Sequence, residues 1–321
     1  MSEPFTHGGL RAGRTWLPAG EDDSMVDVIV FRRAHAAALA DIYNGLVDGL
    51  PYCYPASAAD FATALGDGAA HERLRDDVAL VALAGSAAVG WTQAAVEPPE
   101  EPQGASRGIL RALWYARGHR AAGQALLEAA HGHFRAQGVA TIMAFHQDYR
   151  HPFYHMGHAY LSDRLEHIHA LLGMNGYHRC AGEVYLEWPE FAPEPPGPPP
   201  LPVELVTEWN PGRGHLPGLT LRAMQDDRQL GLCVNLSCGE YASAEAAQDG
   251  CLTKWLGVDA QAQGQGLGRW LLQTALWELR GAGYRRAVIS TSWANHRACL
   301  FYSNCGYRAV DWTYAQSREL D

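Results

Sequence analysis

The sequence predicts an α/β (α+β) fold of two similar domains in tandem, each a mixed, twisted sheet flanked by helices. Apolar runs of strand length alternate with stretches whose apolar residues recur at helical spacing. RAAGQALL around Gly123 resembles QAQGQGLG around Gly264, and a helix, a strand and a glycine-aromatic pair follow each, so the chain contains a divergent internal repeat. A proline-rich stretch over residues 189–202 separates the two copies.

Composition limits the class of protein. With 321 residues, 47% of them hydrophobic, the chain is long enough for two domain cores. A formal net charge of -10 argues against a nucleic-acid partner and favours a small molecule, because a phosphate backbone needs surplus Lys and Arg. No apolar run is long enough to span a membrane, and residues 1–25 lack the apolar core of a secretory signal. We therefore expect a cytoplasmic protein without a membrane partner, either a monomer or a homodimer.

The first domain is predicted over residues 26–188, behind a flexible tail over residues 1–25 that is rich in Gly, Pro and charge. In chain order, the apolar patterns indicate a strand at 26–31, helices at 34–46 and 57–66, a hairpin at 77–96, a strand at 108–115, a helix at 124–138 and a strand at 139–146. The helix at 124–138 has a clear apolar stripe that includes Leu127 and Phe134.

An insert rich in histidine and aromatic residues occupies residues 146–169. His151, His155 and His158 are candidate ligands of one metal ion, but an intervening proline and glycine interrupt any helix that would align them. We therefore predict no metal site. The remaining alternatives are a packing insert and a lid or wall of an acceptor pocket.

The stretch PEFAPEPPGPPPLP over residues 189–202 is predicted to be a stiff linker, because proline lacks an amide donor and has a fixed φ. The second domain is expected over residues 203–321. Its patterns indicate strands at 218–224, 228–241 and 251–258, a helix at 267–283, a strand at 287–293 and a helix at 295–306. It lacks the early helix pair of the first domain, so we expect the first domain to cover part of it.

The stretch VDAQAQGQGLGRWLL, residues 258–272, places Gly264, Gly266 and Gly268 directly before a helix. Amides at a helix start lack intrahelical partners, the helix dipole adds positive potential, and glycine lets an anion approach the main chain. No GK[ST] sequence follows, which excludes a Walker A loop, and the last glycine of a dinucleotide fingerprint is missing. A diphosphate site and a ligand-free helix start remain as the two alternatives.

The run from Gln261 to Gly266 resembles the acyl-CoA loop of the GNAT acetyltransferase superfamily, whose pattern is Gln or Arg, two residues, Gly, one residue, then Gly or Ala. The run from Arg120 to Ala125 satisfies the same pattern. The downstream Asn, Ala, Tyr and Gly-aromatic set of the family is matched by Asn295, Ala298, Tyr302 and Gly306-Tyr307. The chain therefore resembles a tandem GNAT protein with a two-domain layout like that of mycothiol synthase.

The resemblance implies an N-acetyltransferase that moves an acetyl group from acetyl-CoA to a primary amine of a small molecule, with the chemistry in the second domain. Tyr302 is then the acid for the leaving thiolate, and a core tyrosine is the alternative. The implied CoA-binding residues are Leu256, Gly257, Val258, Gln263, Gly264, Gln265, Gly266, Leu267, Gly268, Arg269, Asn295 and Arg297. Solvated helix charges are an equal alternative for Arg269 and Arg297, as is an ordinary helix cap for Asn295.

The general base is not identified by the pattern, because the strand at 251–258 contains no carboxylate. Glu240, Glu245 and Asp249 lie just upstream of that strand. Each also fits a solvated loop charge, and a bound water is another alternative. Of the three, we select Glu240.

The first domain departs from the family pattern at the acid. Leu172 stands four residues before Gly176, whereas Tyr302 stands four residues before Gly306. We predict a degenerate copy that either holds CoA unproductively or forms part of the acceptor wall. For the whole chain, the competing hypothesis is a non-catalytic CoA-binding sensor or scaffold, which cleaves no thioester.

Overall fold

The computed structural model describes residues 26–66, 71–99, 101, 104–149, 151–154 and 160–320. The tail predicted over residues 1–25 lies outside these residues. Where the chain is described, no helix combines the length and the apolar character needed to cross a membrane.

The first half alternates strands and helices as the sequence predicts. Its elements are β1 (Val26–Val30), α1 (Ala36–Val47), α2 (Ala58–Leu65), β2 (Arg75–Ala84), β3 (Ala87–Glu97), β4 (Arg107–Tyr115), α3 (Arg120–Ala136), β5 (Thr141–Ala144), β6 (Leu161–Ser162), α4 (Glu166–Met174) and β7 (His178–Pro189). A capping box starts α2: the Ser57 hydroxyl accepts from the Asp60 amide at 3.2 Å, and the Asp60 carboxylate accepts from the Ser57 amide at 2.7 Å. The predicted stripe of α3 is confirmed, since Leu127 and Phe134 are fully buried.

The second half has no counterpart of the helix pair α1 and α2. Its elements are β8 (Glu204–Asn210), β9 (Gly218–Gln225), β10 (Arg228–Ser237), α5 (Glu245–Gln248), β11 (Gly250–Val258), α6 (Leu267–Gly281), β12 (Arg286–Ser292), α7 (His296–Ser303) and β13 (Arg308–Glu319). The strand predicted over 228–241 ends earlier, at Ser237, and a 3-10 turn over Cys238–Glu240 follows. The apolar patterns did not predict β6, α4, β7, β8, α5 or β13.

The described strands form one continuous sheet in which the two halves exchange their last strands. The order is β1-β2-β3-β4-β5-β13-β7-β12-β11-β10-β9-β8, with β6 paired to β13. At the centre, β13 of the second half pairs antiparallel with β5 of the first, and β7 of the first half pairs antiparallel with β12 of the second. The domain boundaries 26–188 and 203–321 stay a prediction. Because of the strand exchange, the two halves are joined by hydrogen bonds across the middle of the sheet.

The first half covers one face of the second half's sheet. Tyr52, from the segment between α1 and α2, is 4% exposed and stacks on Tyr185 with ring centroids 5.8 Å apart. Both pack in one cluster with Leu252 of β11 and Val288 of β12. The opposite face of these strands is covered by α6 and α7. The predicted cover by the first half is therefore present, and apolar burial stabilises the contact.

The proline-rich segment runs beside α6. Residues 190–203 are in neither a helix nor a strand, although Pro189 itself is the last paired residue of β7. Phe191 is fully buried, and the Trp270 indole donates to the Gly197 carbonyl at 2.9 Å. The linker is thus held against the helix that follows the glycine stretch.

Candidate active site

The parallel strands β11 and β12 separate and open a cavity between them. Only Gly250–Leu252 pair with Arg286–Val288, and beyond these residues the strands diverge. The resulting cavity has a volume of about 690 Å³, within the range of small-molecule sites. The second half lines it with residues 252–256 of β11, residues 289–292 of β12, Asn295, Ala298 and Tyr302, and the first half lines it with Arg73, Gln147, Asp148 and Glu183.

Unpaired amides lie at the start of α6. Gly264 and Gly266 have φ of +78° and +89°, a conformation that favours glycine, and Gly266 caps the helix. Among the described residues, the backbone amides of 263–269 donate no hydrogen bond to the protein, and a Cβ at Gly264 would meet no atom within 4 Å. The predicted loop therefore exposes the donors of a helix N-terminus, where the helix dipole also favours an anion.

Side chains around Asp259 hold this loop in shape. The Asp259 carboxylate accepts from the Gln261 amide at 2.9 Å and from Arg228 at 2.7 Å. These two contacts, with that to Arg228 the larger, lower the pKa of Asp259. The Gln263 side chain donates to the Val258 carbonyl at 3.1 Å, and that of Gln265 to the Gln261 carbonyl at 3.0 Å. Gln263 and Gln265 thus fix the turn with their side chains.

The end of β11 offers one unpaired strand edge. Leu256, Gly257 and Val258 pair with β10 on one side, and in the described residues no strand pairs with their other side, since β12 has diverged. Leu256 lines the cavity. The side chain of Val258 packs against Gly268, so the strand end and the first turn of α6 form one surface.

Tyr302 reaches the cavity from α7. It is 6% exposed, and its ring lies 5.8 Å from that of Tyr307. Burial raises the pKa of Tyr302 above its ordinary value, so the phenol stays protonated at neutral pH. Asn295 caps α7, with its side chain accepting from the Ala298 amide at 3.1 Å, and it also lines the cavity. The predicted acid and the predicted asparagine therefore lie at the same site.

Two exposed arginines follow the two helix starts. Arg269 lies in the first turn of α6 and Arg297 in the first turn of α7. Both are exposed, and neither forms an ion pair within the part of the chain that the structure describes. Their charges are available to a ligand on this side of the sheet.

The structure does not bring Glu240 together with Tyr302. Glu240 is absent from the cavity wall, and its carboxylate accepts from the Arg213 amide at 2.6 Å. Of the other two candidates, Asp249 pairs with Arg286 at 2.7 Å, and Glu245 lies in the first turn of α5. None of the three lines the cavity.

Sequence reasoning missed the residues that the first half contributes. Asp148 comes from the insert, and Arg73, which pairs with Glu97, comes from the segment before β2. Glu183 comes from β7, a strand that the apolar patterns did not predict. A glutamate within the apolar run AGEVYLEW was a usable signal, because ionised side chains are rarely placed inside a buried strand without a role.

In the first half the matching run from Arg120 to Ala125 is not a loop, because it forms the first turns of α3. A Cβ at Gly123 would lie 2.5 Å from the Tyr115 ring, and the Tyr115 hydroxyl donates to the His167 carbonyl at 2.8 Å. The Gly123 amide already donates to the His119 carbonyl at 3.2 Å. Leu172, which stands in the place of Tyr302, is fully buried.

The insert packs into the first half and reaches the cavity. Phe153 stacks on Phe61 with centroids 4.1 Å apart, and His151 is 1% exposed with Nε2 2.9 Å from Gln93 Oε1. Residues 147 and 148 line the cavity. His155 and His158 lie outside the described residues. The described part of the insert is thus both a packing element and a cavity wall.

Residues 219–309 match a family model described as an acetyltransferase (GNAT) domain. No curated protein matches the chain.

Solved structures share the fold over nearly the whole chain. A tandem GNAT protein from the clavulanic acid biosynthesis pathway is 15% identical, with 92% of this chain and 98% of that chain covered and a TM-score of 0.65. A GCN5-related N-acetyltransferase from Sphaerobacter thermophilus is 14% identical, with 92% and 95% covered and a TM-score of 0.59. A glucosamine N-acetyltransferase region of a fungal multi-domain GH3 β-N-acetylglucosaminidase is 14% identical, with 93% and 38% covered and a TM-score of 0.58. At these identities the likeness is one of fold, and it extends over both halves.

Proposed function

The chain has the tandem GNAT fold with a GNAT acetyltransferase domain over residues 219–309, and from this premise we propose that it transfers an acetyl group from acetyl-CoA to a primary amine of a small molecule. The observation that carries the proposal is the cavity between the diverging strands β11 and β12, with unpaired amides at the start of α6 and the Tyr302 side chain in its wall. We place the chemistry in the second half.

The residues around the cavity fit acetyl-CoA as a substrate. Amides of 263–269 donate to no protein group among the described residues, which suits a diphosphate. Arg269 and Arg297 add positive charge from two exposed helix turns. The unpaired edge of β11 at Leu256, Gly257 and Val258 supplies main-chain groups for the amide-containing pantetheine arm. These contacts are mostly made by backbone, which explains why few side-chain types are required.

Tyr302 fits the role of the acid. Because burial keeps its phenol protonated, it can donate a hydrogen bond to the sulfur while the carbon–sulfur bond breaks. A free thiol has a pKa of about 8.5, below that of an ordinary tyrosine. Burial raises the pKa of a thiol as well as that of a phenol, so a desolvated thiolate beside Tyr302 is a better proton acceptor than one in water.

The acceptor side of the cavity is polar and charged. Arg73, Gln147, Asp148 and Glu183 line it, all from the first half. A cavity of about 690 Å³ suits a small molecule better than a protein tail. The net charge of -10 attracts a cationic amine over long range. We therefore propose that the two halves together form the acceptor pocket.

Two measurements on the purified full chain test this function. Calorimetry with acetyl-CoA is expected to give a heat of binding, and a panel of small primary amines is expected to give amine-dependent release of CoA. Heat without CoA release for any amine supports the sensor hypothesis instead. The absence of any heat with acetyl-CoA or CoA excludes both the acetyltransferase and the sensor hypothesis.

A further inference from the structure

We propose that Glu183, on the last strand of the first half, is the general base that takes the proton from the acceptor ammonium. This inference rests on the proposed acetyltransferase function. It assigns the base to a residue outside the acetyltransferase domain over 219–309.

Strand exchange brings Glu183 to the cavity. β7 lies between β13 and β12, and Glu183 is paired with Ser292 on β12 and with Thr313 on β13. Glu183 lines the same cavity as Tyr302. A residue of the first half is therefore built into the hydrogen-bonded middle of the shared sheet, where its backbone position is fixed on both sides.

Glu183 and Tyr302 reach the cavity from opposite faces of the sheet. Successive residues of a strand point to opposite faces. Val184 and Leu186 pack in the core that contains Tyr302, whereas Tyr185 packs in the cluster on the other face. The pairing of β7 with β12 is regular from 183 to 189, so Glu183 shares the face of Tyr185. The amine and the thioester can thus meet in the gap between β11 and β12 from two sides.

The carboxylate of Glu183 is suited to accept a proton. Its Oε2 atom is buried and has no hydrogen-bond partner among the described residues. Burial raises the pKa of Glu183, while the Ser290 hydroxyl and Lys254 act in the opposite direction. Asp148, the other carboxylate in the wall, has a half-exposed side chain next to His146 and is a weaker candidate. A desolvated carboxylate with one free oxygen is a better base than a solvated one.

The proposed transfer conserves protons and electrons. Glu183 takes one proton from the ammonium, and the nitrogen lone pair then forms the carbon–nitrogen bond as the thioester carbonyl becomes an oxyanion. When the oxyanion collapses, the carbon–sulfur bond breaks and Tyr302 gives its proton to sulfur. The second nitrogen proton restores Tyr302, and Glu183 releases its proton to water. An ammonium and an acetyl thioester thus become an amide, a thiol and one proton.

Glu183→Gln tests the assignment, with Glu187→Gln as the matched control. Glu187 lies on the same strand and the same face but does not line the cavity. The probes are acetyl-CoA with Nα-acetyl-lysine, whose amine has a pKa of about 10.4, and with alaninamide, whose α-amine has a pKa of about 8. We expect Glu183→Gln to lower kcat/KM for the lysine probe by about 100-fold or more at pH 7. The loss should be much smaller for alaninamide, while the Kd for acetyl-CoA stays unchanged.

The pH profile gives a second readout. In Glu183→Gln the acidic limb that Glu183 gives to kcat/KM should be lost, and only the rise due to deprotonation of the amine itself should remain. Glu187→Gln should keep the profile of the wild type. The other groups that face Glu183 are Lys254 on β11, Tyr160 before β6, and Tyr185 on β7, with Arg73 and Asp148 across the cavity. All of these are present in both variants, so a limb lost only in Glu183→Gln belongs to Glu183.

The outcomes separate the two proposals. If kcat/KM of Glu183→Gln for the lysine probe is within threefold of the wild-type value, the base assignment is wrong and the acetyltransferase function still stands. An equal loss on both probes also overturns it, because a positioning role does not depend on the basicity of the amine. A wild-type protein that binds acetyl-CoA but acetylates neither probe nor any amine of a wider panel overturns the function and the base together.

Discussion

The ring of Tyr115 occupies the space beside Gly123, where a Cβ would lie 2.5 Å from the ring. At the matching glycine of the second half, Gly264, a Cβ would meet no atom within 4 Å. The same sequence pattern is therefore helical and packed in the first half, whereas in the second half it forms an open loop before the helix.

We therefore expect calorimetry to give one acetyl-CoA per chain. Gly123→Ala should lower the free energy of unfolding by about 1–3 kcal/mol through overpacking against Tyr115, with no change in the Kd for acetyl-CoA. Gly132→Ala is the control, because it lies on the same helix, with nothing within 4 Å of an added Cβ. It should be stabilising by up to about 1 kcal/mol. A second acetyl-CoA per chain would contradict a single binding site in the second half.

Tyr302→Phe should lower kcat by about 100-fold or more while the Kd for acetyl-CoA stays within a factor of two. The reason is that phenylalanine keeps the packing against Tyr307 and removes only the proton donor. Tyr307→Phe is a matched control, since Tyr307 packs against Tyr302 but does not line the cavity. Equal activity of the wild type and Tyr302→Phe would exclude Tyr302 as the acid.

Arg269→Gln and Arg297→Gln should each weaken binding of acetyl-CoA about fivefold, because an exposed ion pair contributes up to about 1 kcal/mol. The effect should shrink at high ionic strength, since exposed charges are screened. Arg33→Gln, an exposed arginine of the first half, is the control. The readout is the Kd from calorimetry at two salt concentrations. Unchanged affinity at low salt would favour solvated helix charges.

Buried His131 should make folding sensitive to acid. Its Nε2 lies 2.8 Å from the Tyr177 hydroxyl, and burial, followed by Arg318 and Arg135, lowers the pKa of His131 to about 4. In the unfolded chain the pKa is about 6.5, so this contribution to stability is present above pH 6.5 and is lost as the pH falls toward about 4. Urea unfolding should show a smaller loss of stability between pH 7 and pH 5 in His131→Gln. His119→Gln, a substitution of an exposed histidine, is the control. It should lose as much stability between pH 7 and pH 5 as the wild type does.

Glu183→Gln should be more stable than the wild type at pH 7. Burial raises the pKa of Glu183 in the folded chain, so the folded state binds more protons than the unfolded state above about pH 4.3. The stability associated with the protonated acid is therefore lost as the pH rises through the raised pKa. Denaturant midpoints at pH 7 and pH 4 should show the advantage of the variant only at pH 7. A variant that is less stable at both pH values would indicate a structural role.

The sequence by itself determined the local features of this protein. The glycine stretch before α6, the apolar stripe of α3, the capped start of α7 and the tyrosine on that helix all follow from residues within a few positions of one another. Helical periodicity, left-handed glycine and capping depend on neighbours in the chain, so they can be recognised from one sequence. The tandem fold was predicted because the same local pattern occurs twice.

Tertiary structure alone decided which residues meet. The sequence gives no sign that β7 and β13 change places, and this exchange is what brings Glu183 to the cavity of Tyr302. It also gives no sign that Tyr115 packs against Gly123 in α3, or that Glu240 accepts from Arg213 away from the cavity. Strand pairing and side-chain packing join residues far apart in the chain, and their energies depend on the whole fold rather than on local propensity.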